Sequence, residues 1–76
     1  MAKKSGEVVE NRICELRARY RYTQADLAKM VDVSRQTIVA TERGEYSPSV
    51  LLALKISKVL EEPVEVIFQL KQPNDA

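Results

Sequence analysis

The sequence predicts an all-α fold built around two short helices joined by a tight turn, and three observations carry that expectation. Apolar residues recur at one-turn helical spacing along most of the chain. Capping residues punctuate it at short intervals, while Gly and Pro are rare, at 2 and 3 of 76 residues. A chain of that length holds one domain around one small core.

Residues 1–7 (MAKKSGE) are small, polar and charged. They are expected to form a flexible lead-in to a single domain over 8–72, with 73–76 as a tail. The two lysines are not followed by an apolar stretch, which argues against a signal peptide. Elsewhere no apolar run approaches the roughly 20 residues of a membrane span. A cytoplasmic protein with no membrane partner is therefore expected. Val8-Val9-Glu10 is short and β-branched. A first helix follows at about 11–20, with Ile13, Leu16, Arg17 and Tyr20 on one face. An arginine on an inward face needs a partner, because an unpaired buried guanidinium is costly. Glu42 is nominated as the carboxylate that forms a structural ion pair with Arg17.

The central run, TQADLAKMVDVSRQTIVATERG, extends from Thr23 to Gly44. Thr23 and Asp26 have the spacing of an N-cap and its first-turn acidic partner. Leu27, Ala28 and Val31 form the stripe of a second helix at about 24–31, and Tyr22 can act as its hydrophobic staple. The turn falls at Val31-Asp32-Val33, where Asp32 tolerates a left-handed backbone less easily than Gly would. Ser34 caps a third helix at about 34–43, with Ile38, Thr41 and Glu42 inward and Gly44 as its stop. Arg35, Gln36 and Thr37 open that helix pointing outward, where they suit the base edges of a major groove. This is a helix-turn-helix, and a regulator that binds double-stranded DNA is expected.

Ser47-Pro48 reads as the start of a fourth helix, with Ser47 as N-cap and Pro48 at the first helical position. It runs to about 60, with Val50, Ala53, Ile56, Ser57 and Leu60 on the core side. Leu51 and Leu54 form a second apolar flank. Leu51 is either an isolated surface leucine or a subunit contact. Glu61-Glu62-Pro63 breaks the helix, and Pro63 starts a fifth, to about 67. Phe68-Gln69-Leu70-Lys71 then alternates apolar and polar before Pro73. With Val8-Val9-Glu10 it can form a two-stranded antiparallel ribbon, which would need helix packing or a second subunit to hold. The alternative is a tail that tucks Phe68 into the core.

Net charge is only +1, but its distribution is uneven. Seven basic residues face four acidic ones between Arg12 and Arg43; from Gly44 onward there are three basic and five acidic. One basic face fits phosphate, and an acidic remainder fits a surface turned away from DNA. Histidine is missing, Cys14 is the single cysteine, and no phosphate-cradling glycine loop or metal-ligand cluster is evident. Neither an enzyme nor a cofactor or small-molecule ligand is expected.

These residues resemble the phage-repressor and Cro-type helix-turn-helix family, in its compact stand-alone prokaryotic form. The resemblance spans Ile13 to Phe68 and is carried by LRARYRYTQADLAKMVDVSRQTIVATERG, YSPS, LALKISKVL and PVEVIF. It implies a five-helix repressor-type domain that binds a near-palindromic operator as a homodimer. By position, Arg35 and Gln36 match the family's main base readers, and Thr37, Val39 and Ala40 are further groove-facing candidates. Gln24 matches a phosphate anchor and Arg43 a backbone contact; Thr23, Ser34 and Tyr46 complete the candidate phosphate set. Arg17 and Glu42 match an ion pair found in some members. An ending like IFQLKQ is similar to members whose terminal β-ribbon serves dimerisation, which makes Leu51, Phe68 and Leu70 the dimer candidates. Arg21 and Asp32 stand where Gly is frequent, and Glu45 where Lys is. The rival reading is an antitoxin or co-regulator whose main partner is another protein, docking on the acidic C-terminal third.

Overall fold

The computed structural model describes residues 8–71, so the expectations for 1–7 and for the tail lie outside the described residues. Its elements run β1 (Val8–Asn11), α1 (Ile13–Arg19), α2 (Gln24–Met30), α3 (Arg35–Glu42), α4 (Val50–Leu60), α5 (Val64–Ile67) and β2 (Phe68–Lys71). Five helices with a two-stranded antiparallel sheet among the described residues match the expected class.

Local chemistry fixes most boundaries. At the start of α2 the Thr23 hydroxyl accepts from the Asp26 amide, and the Asp26 carboxylate accepts from the Thr23 amide, both at 2.9 Å. This reciprocal box satisfies two of the amides a helix start leaves free. The Ser34 hydroxyl accepts from the Thr37 amide at 3.2 Å and opens α3 in the same way. Asp32 holds the intervening turn at φ 63°, and Gly44 ends α3 at φ 77°. Arg21 and Glu61 are left-handed as well, at φ 61° and 58°.

The core gathers one apolar stripe from each helix: Ile13 and Leu16; Leu27, Ala28 and Val31; Ile38; Leu52, Ile56 and Leu60; and Ile67. Each leucine, isoleucine or valine among them contributes roughly 1.5–3 kcal/mol when fully buried. A domain this small retains only about 0.05–0.15 kcal/mol of net stability per residue. Caps and ion pairs near 1 kcal/mol are therefore a large fraction of the margin. Tyr20 stacks on Tyr22 with ring centroids 5.3 Å apart, and its hydroxyl donates to the Leu60 carbonyl at 3.2 Å. Arg19 reaches Glu62 at 3.0 Å, so the end of α1 is tied to the loop after α4.

Three expectations are corrected. Asn11 belongs to β1 rather than to the first helix; its side-chain oxygen accepts from the Ile13 amide at 3.1 Å, beside the helix rather than within it. The cap of α4 is Ser49, not Ser47, because the Ser49 hydroxyl accepts from the Leu52 amide at 3.1 Å. Pro48 precedes that cap, since its fixed φ suits an extended lead-in as well as a first helical turn. Finally, Val50 is 75% exposed and Leu52 takes the core position at 5%. At 3.6 residues per turn Leu52 lies roughly 40° from Ile56 around the helix, whereas Val50 lies roughly 120° away.

β1 and β2 pair in register Val9↔Leu70 and Asn11↔Phe68. The Arg12 amide donates to the Ile67 carbonyl at 2.9 Å, closing the ribbon onto α5. Phe68 packs against the core. The ribbon and the tucked phenylalanine, posed as alternatives, occur together.

Candidate nucleic-acid interface

The third helix is seated by Ile38, which is fully buried, and by Thr41, whose hydroxyl donates to the Thr37 carbonyl at 2.7 Å. With Ile38 inward, Gln36, Val39, Ala40 and Arg43 fall at i, i+3, i+4 and i+7 and share one opposite face. Gln36 and Arg43 are exposed, and the smaller Val39 and Ala40 are half-buried between them. Arg35 is exposed on the flank toward α2. Thr37 departs from its expected outward position. It is half-buried, and its hydroxyl shares a 3.0 Å hydrogen bond with that of Ser34. It lines a shallow groove toward α4 with Tyr46, Leu51 and Lys55. Roughly 100° around the helix from the buried Ile38, the Thr37 hydroxyl is engaged by the capping serine rather than presented outward.

A chain of polar contacts runs beneath this face. The Arg17 Nε donates to Glu42 at 2.8 Å, its Nη2 to the same carboxylate at 3.3 Å, and its Nη1 to the Tyr22 carbonyl at 2.8 Å. Both charged side chains are mostly buried, at 14% and 10% exposure. The expected pairing of Arg17 with Glu42 is thus present in the structure. Glu42 raises the Arg17 guanidinium above its already high ordinary value, chiefly by that hydrogen bond. Glu42 Oε1 also accepts from the Gln24 amide at 3.0 Å, and Gln24 Oε1 accepts from Arg35 at 3.2 Å. The contacts therefore lead from α1 through the end of α3 and the start of α2 to Arg35.

The other candidates are dispersed around this centre. Thr23 and Ser34 are exposed, with their hydroxyls engaged by their own helices. Tyr46 is 46% exposed in the loop after α3. Leu51 and Leu70 are exposed at 62% and 67%, on α4 and on the ribbon. Phe68 turns toward the core instead. The link from Gln24 to Arg35 was not expected; their separation of eleven residues across a turn gives no periodic signal. A second unexpected contact is a 2.8 Å hydrogen bond from the Asn11 side-chain amide to the Thr41 carbonyl. Among the described residues no helix is long and apolar enough to cross a membrane.

The helix-turn-helix family model matches residues 15–67 of this chain. The chain belongs to the helix-turn-helix family. An HTH-type transcriptional regulator of Bacillus subtilis, YgzD, is 47% identical over 66 residues, covering 87% of this chain and 100% of that protein. The P22 c2 repressor, solved in complex with a synthetic operator, superposes with a TM-score of 0.69 at 37% identity, over 71% of this chain and 82% of its own. The transcriptional regulator VanUg shares the fold over 95% of this chain and 96% of its own, with a TM-score of 0.75 at 19% identity. The protein is a DNA-binding helix-turn-helix regulator of transcription. Both strands of its ribbon lie outside the segment that the family model matches.

Proposed function

We propose that this helix-turn-helix protein is a sequence-specific repressor that binds a near-palindromic operator as a homodimer. The observation that carries the reading is the exposed face Gln36, Val39, Ala40 and Arg43, flanked by Arg35, on a helix whose opposite side is locked into the core. The likeness to the operator-bound P22 c2 repressor supports it. In this reading α3 enters the major groove. Arg35 gives two parallel hydrogen bonds to guanine O6 and N7, and Gln36 does the same for adenine N6 and N7. Each good pair discriminates by about 1–3 kcal/mol. Val39 and Ala40 meet thymine methyls. Gln24, Arg43 and Tyr46 contact phosphates on either side, with Thr23 and Ser34 presenting the adjoining helix starts. One such helix reads only a few base pairs, so a two-fold dimer supplies the rest.

In vitro selection from a random duplex pool tests this. The expected product is a near-palindrome with half-sites one helical turn apart, about 34 Å. Recovery of a single short asymmetric site, bound by one copy of the chain, would overturn the dimeric reading.

A further inference from the structure

The strand that precedes the matched family segment is bonded to the helix proposed to read DNA. Asn11 ends β1, and its side chain makes two hydrogen bonds at once. Its oxygen accepts from the Ile13 amide at 3.1 Å, and its amide donates to the Thr41 carbonyl at 2.8 Å. Thr41 lies in the last turn of α3, where carbonyls lack helical partners. The same carbonyl also accepts from the Gly44 amide at 3.0 Å. Beside it, the Val9 carbonyl sits 3.7 Å from where a Cβ on Gly44 would be, so β1 lies directly against the end of α3.

The third helix is short. Its eight residues span about 12 Å. The helix is seated in the core by Ile38 and Thr41, and a tilt about that seat would swing Arg35 and Gln36 at its start. Two contacts oppose that tilt at the C-terminal end: Glu42 with Arg17 from α1, and Thr41 with Asn11 from the ribbon. We propose that Asn11 is a positioning residue for DNA reading, tying the terminal ribbon to the recognition helix and setting the angle at which Arg35 and Gln36 meet the bases. The proposal rests on the reading that α3 faces DNA.

Asn11→Ser and Asn11→Asp separate this role from helix capping. Asn11→Asp keeps an acceptor for the Ile13 amide and loses the donor to Thr41, and Asn11→Ser leaves one hydroxyl on a shorter side chain, which cannot bridge both partners as the amide does. Glu10→Gln, which removes the exposed ribbon pair with Lys71 at 3.4 Å, is the control for ribbon chemistry in general. Arg35→Ala is the control for the DNA face. Binding is measured on the tightest duplex recovered from a random pool and on a scrambled duplex of the same composition. The Asn11 variants are expected to bind the recovered duplex about fivefold more weakly, the size of one net hydrogen bond. The scrambled duplex should change less, the salt slope should stay unchanged because no phosphate contact is removed, and amide exchange at Gly44 and Glu45 should quicken. Glu10→Gln should match the parent protein. Unchanged affinity in folded Asn11 variants would overturn the proposal, as would a loss explained wholly by unfolded protein at the assay temperature. If Asn11→Asp fails to fold, Asn11→Ser decides alone. Should Arg35→Ala also bind the recovered duplex normally, the assignment of the DNA face is what fails.

Discussion

Glu42 holds Arg17 on one side and Gln24 on the other, and Gln24 in turn holds Arg35. Removing its carboxylate leaves a mostly buried guanidinium unpaired and frees Gln24. Glu42→Ala is therefore expected to lower stability by about 2–3 kcal/mol. For a domain of this size that is roughly 10–20 °C in melting temperature, read by circular dichroism. The proposed readers are separable by the kind of contact each would make. Gln36→Ala should relax base preference at one position, while Arg43→Ala should weaken all sequences alike and reduce the salt slope by about one. Fluorescence titrations on selected and scrambled duplexes over a salt series distinguish them; equal effects of both variants on both duplexes would defeat the assignment. Asp26 supplies a pH dependence. Its carboxyl is held below its ordinary value, first by the Thr23 backbone amide and then by the Thr23 side chain. A folded value below the unfolded one gives stability that is complete above the unfolded value and lost as pH falls through the folded one. Urea unfolding of Asp26→Asn should accordingly show a flatter acid limb than the parent protein.

At the scale of elements, helix starts and stops carry much of the specification. The Thr23–Asp26 box, the Ser34 cap and the Gly44 stop were legible because each is a fixed spacing between residues whose side chains bond the backbone locally. The start of α4 was not, because Ser47 and Ser49 are equivalent as letters and differ only in which hydroxyl reaches an amide. The pairing of Arg17 with Glu42 could be inferred from an arginine on an apolar stripe. The contacts of Gln24 with Arg35 and of Asn11 with Thr41 could not, since amide side chains on polar faces look like any solvated residue until the elements are packed. The left-handed positions are a further element-scale property. Asp32 holds the helix-turn-helix corner at φ 63°, a conformation glycine adopts without a Cβ penalty. Relief of that strain outweighs the extra freedom of an unfolded glycine by about 0.5–1 kcal/mol. Asp32→Gly should raise the melting temperature by several degrees; a lower value would show that Asp32 supports the turn in another way.

At the scale of the whole molecule, two recognition helices in the proposed dimer would reach successive major grooves on one side of a duplex, about 34 Å apart. The described residues extend 35 × 22 × 18 Å, so two copies in contact have the reach if α3 lies away from the shared surface. Leu51 on α4 and Leu70 at the far end of the ribbon are exposed at 62% and 67%. Leu70 pairs with half-buried Val9 on the face that Phe68 turns toward the core, so an exposed leucine extends past the packed part of the ribbon. A two-stranded ribbon is marginal by itself and gains from such an added partner. In the proposed dimer, a lysine at either position would place a charge inside a contact that excludes water. The double variant Leu51→Lys, Leu70→Lys is thus expected to sediment as a monomer and, without the partner on its ribbon, to melt somewhat lower. It should occupy one half-site per molecule, with loss of affinity for a full operator of at least about tenfold. Sedimentation and titration on single and paired half-sites measure both effects. If the double variant kept the parent's mass and its affinity for paired half-sites, neither leucine would lie in the dimer contact, and the surface joining two copies would have to be sought away from α4 and the ribbon.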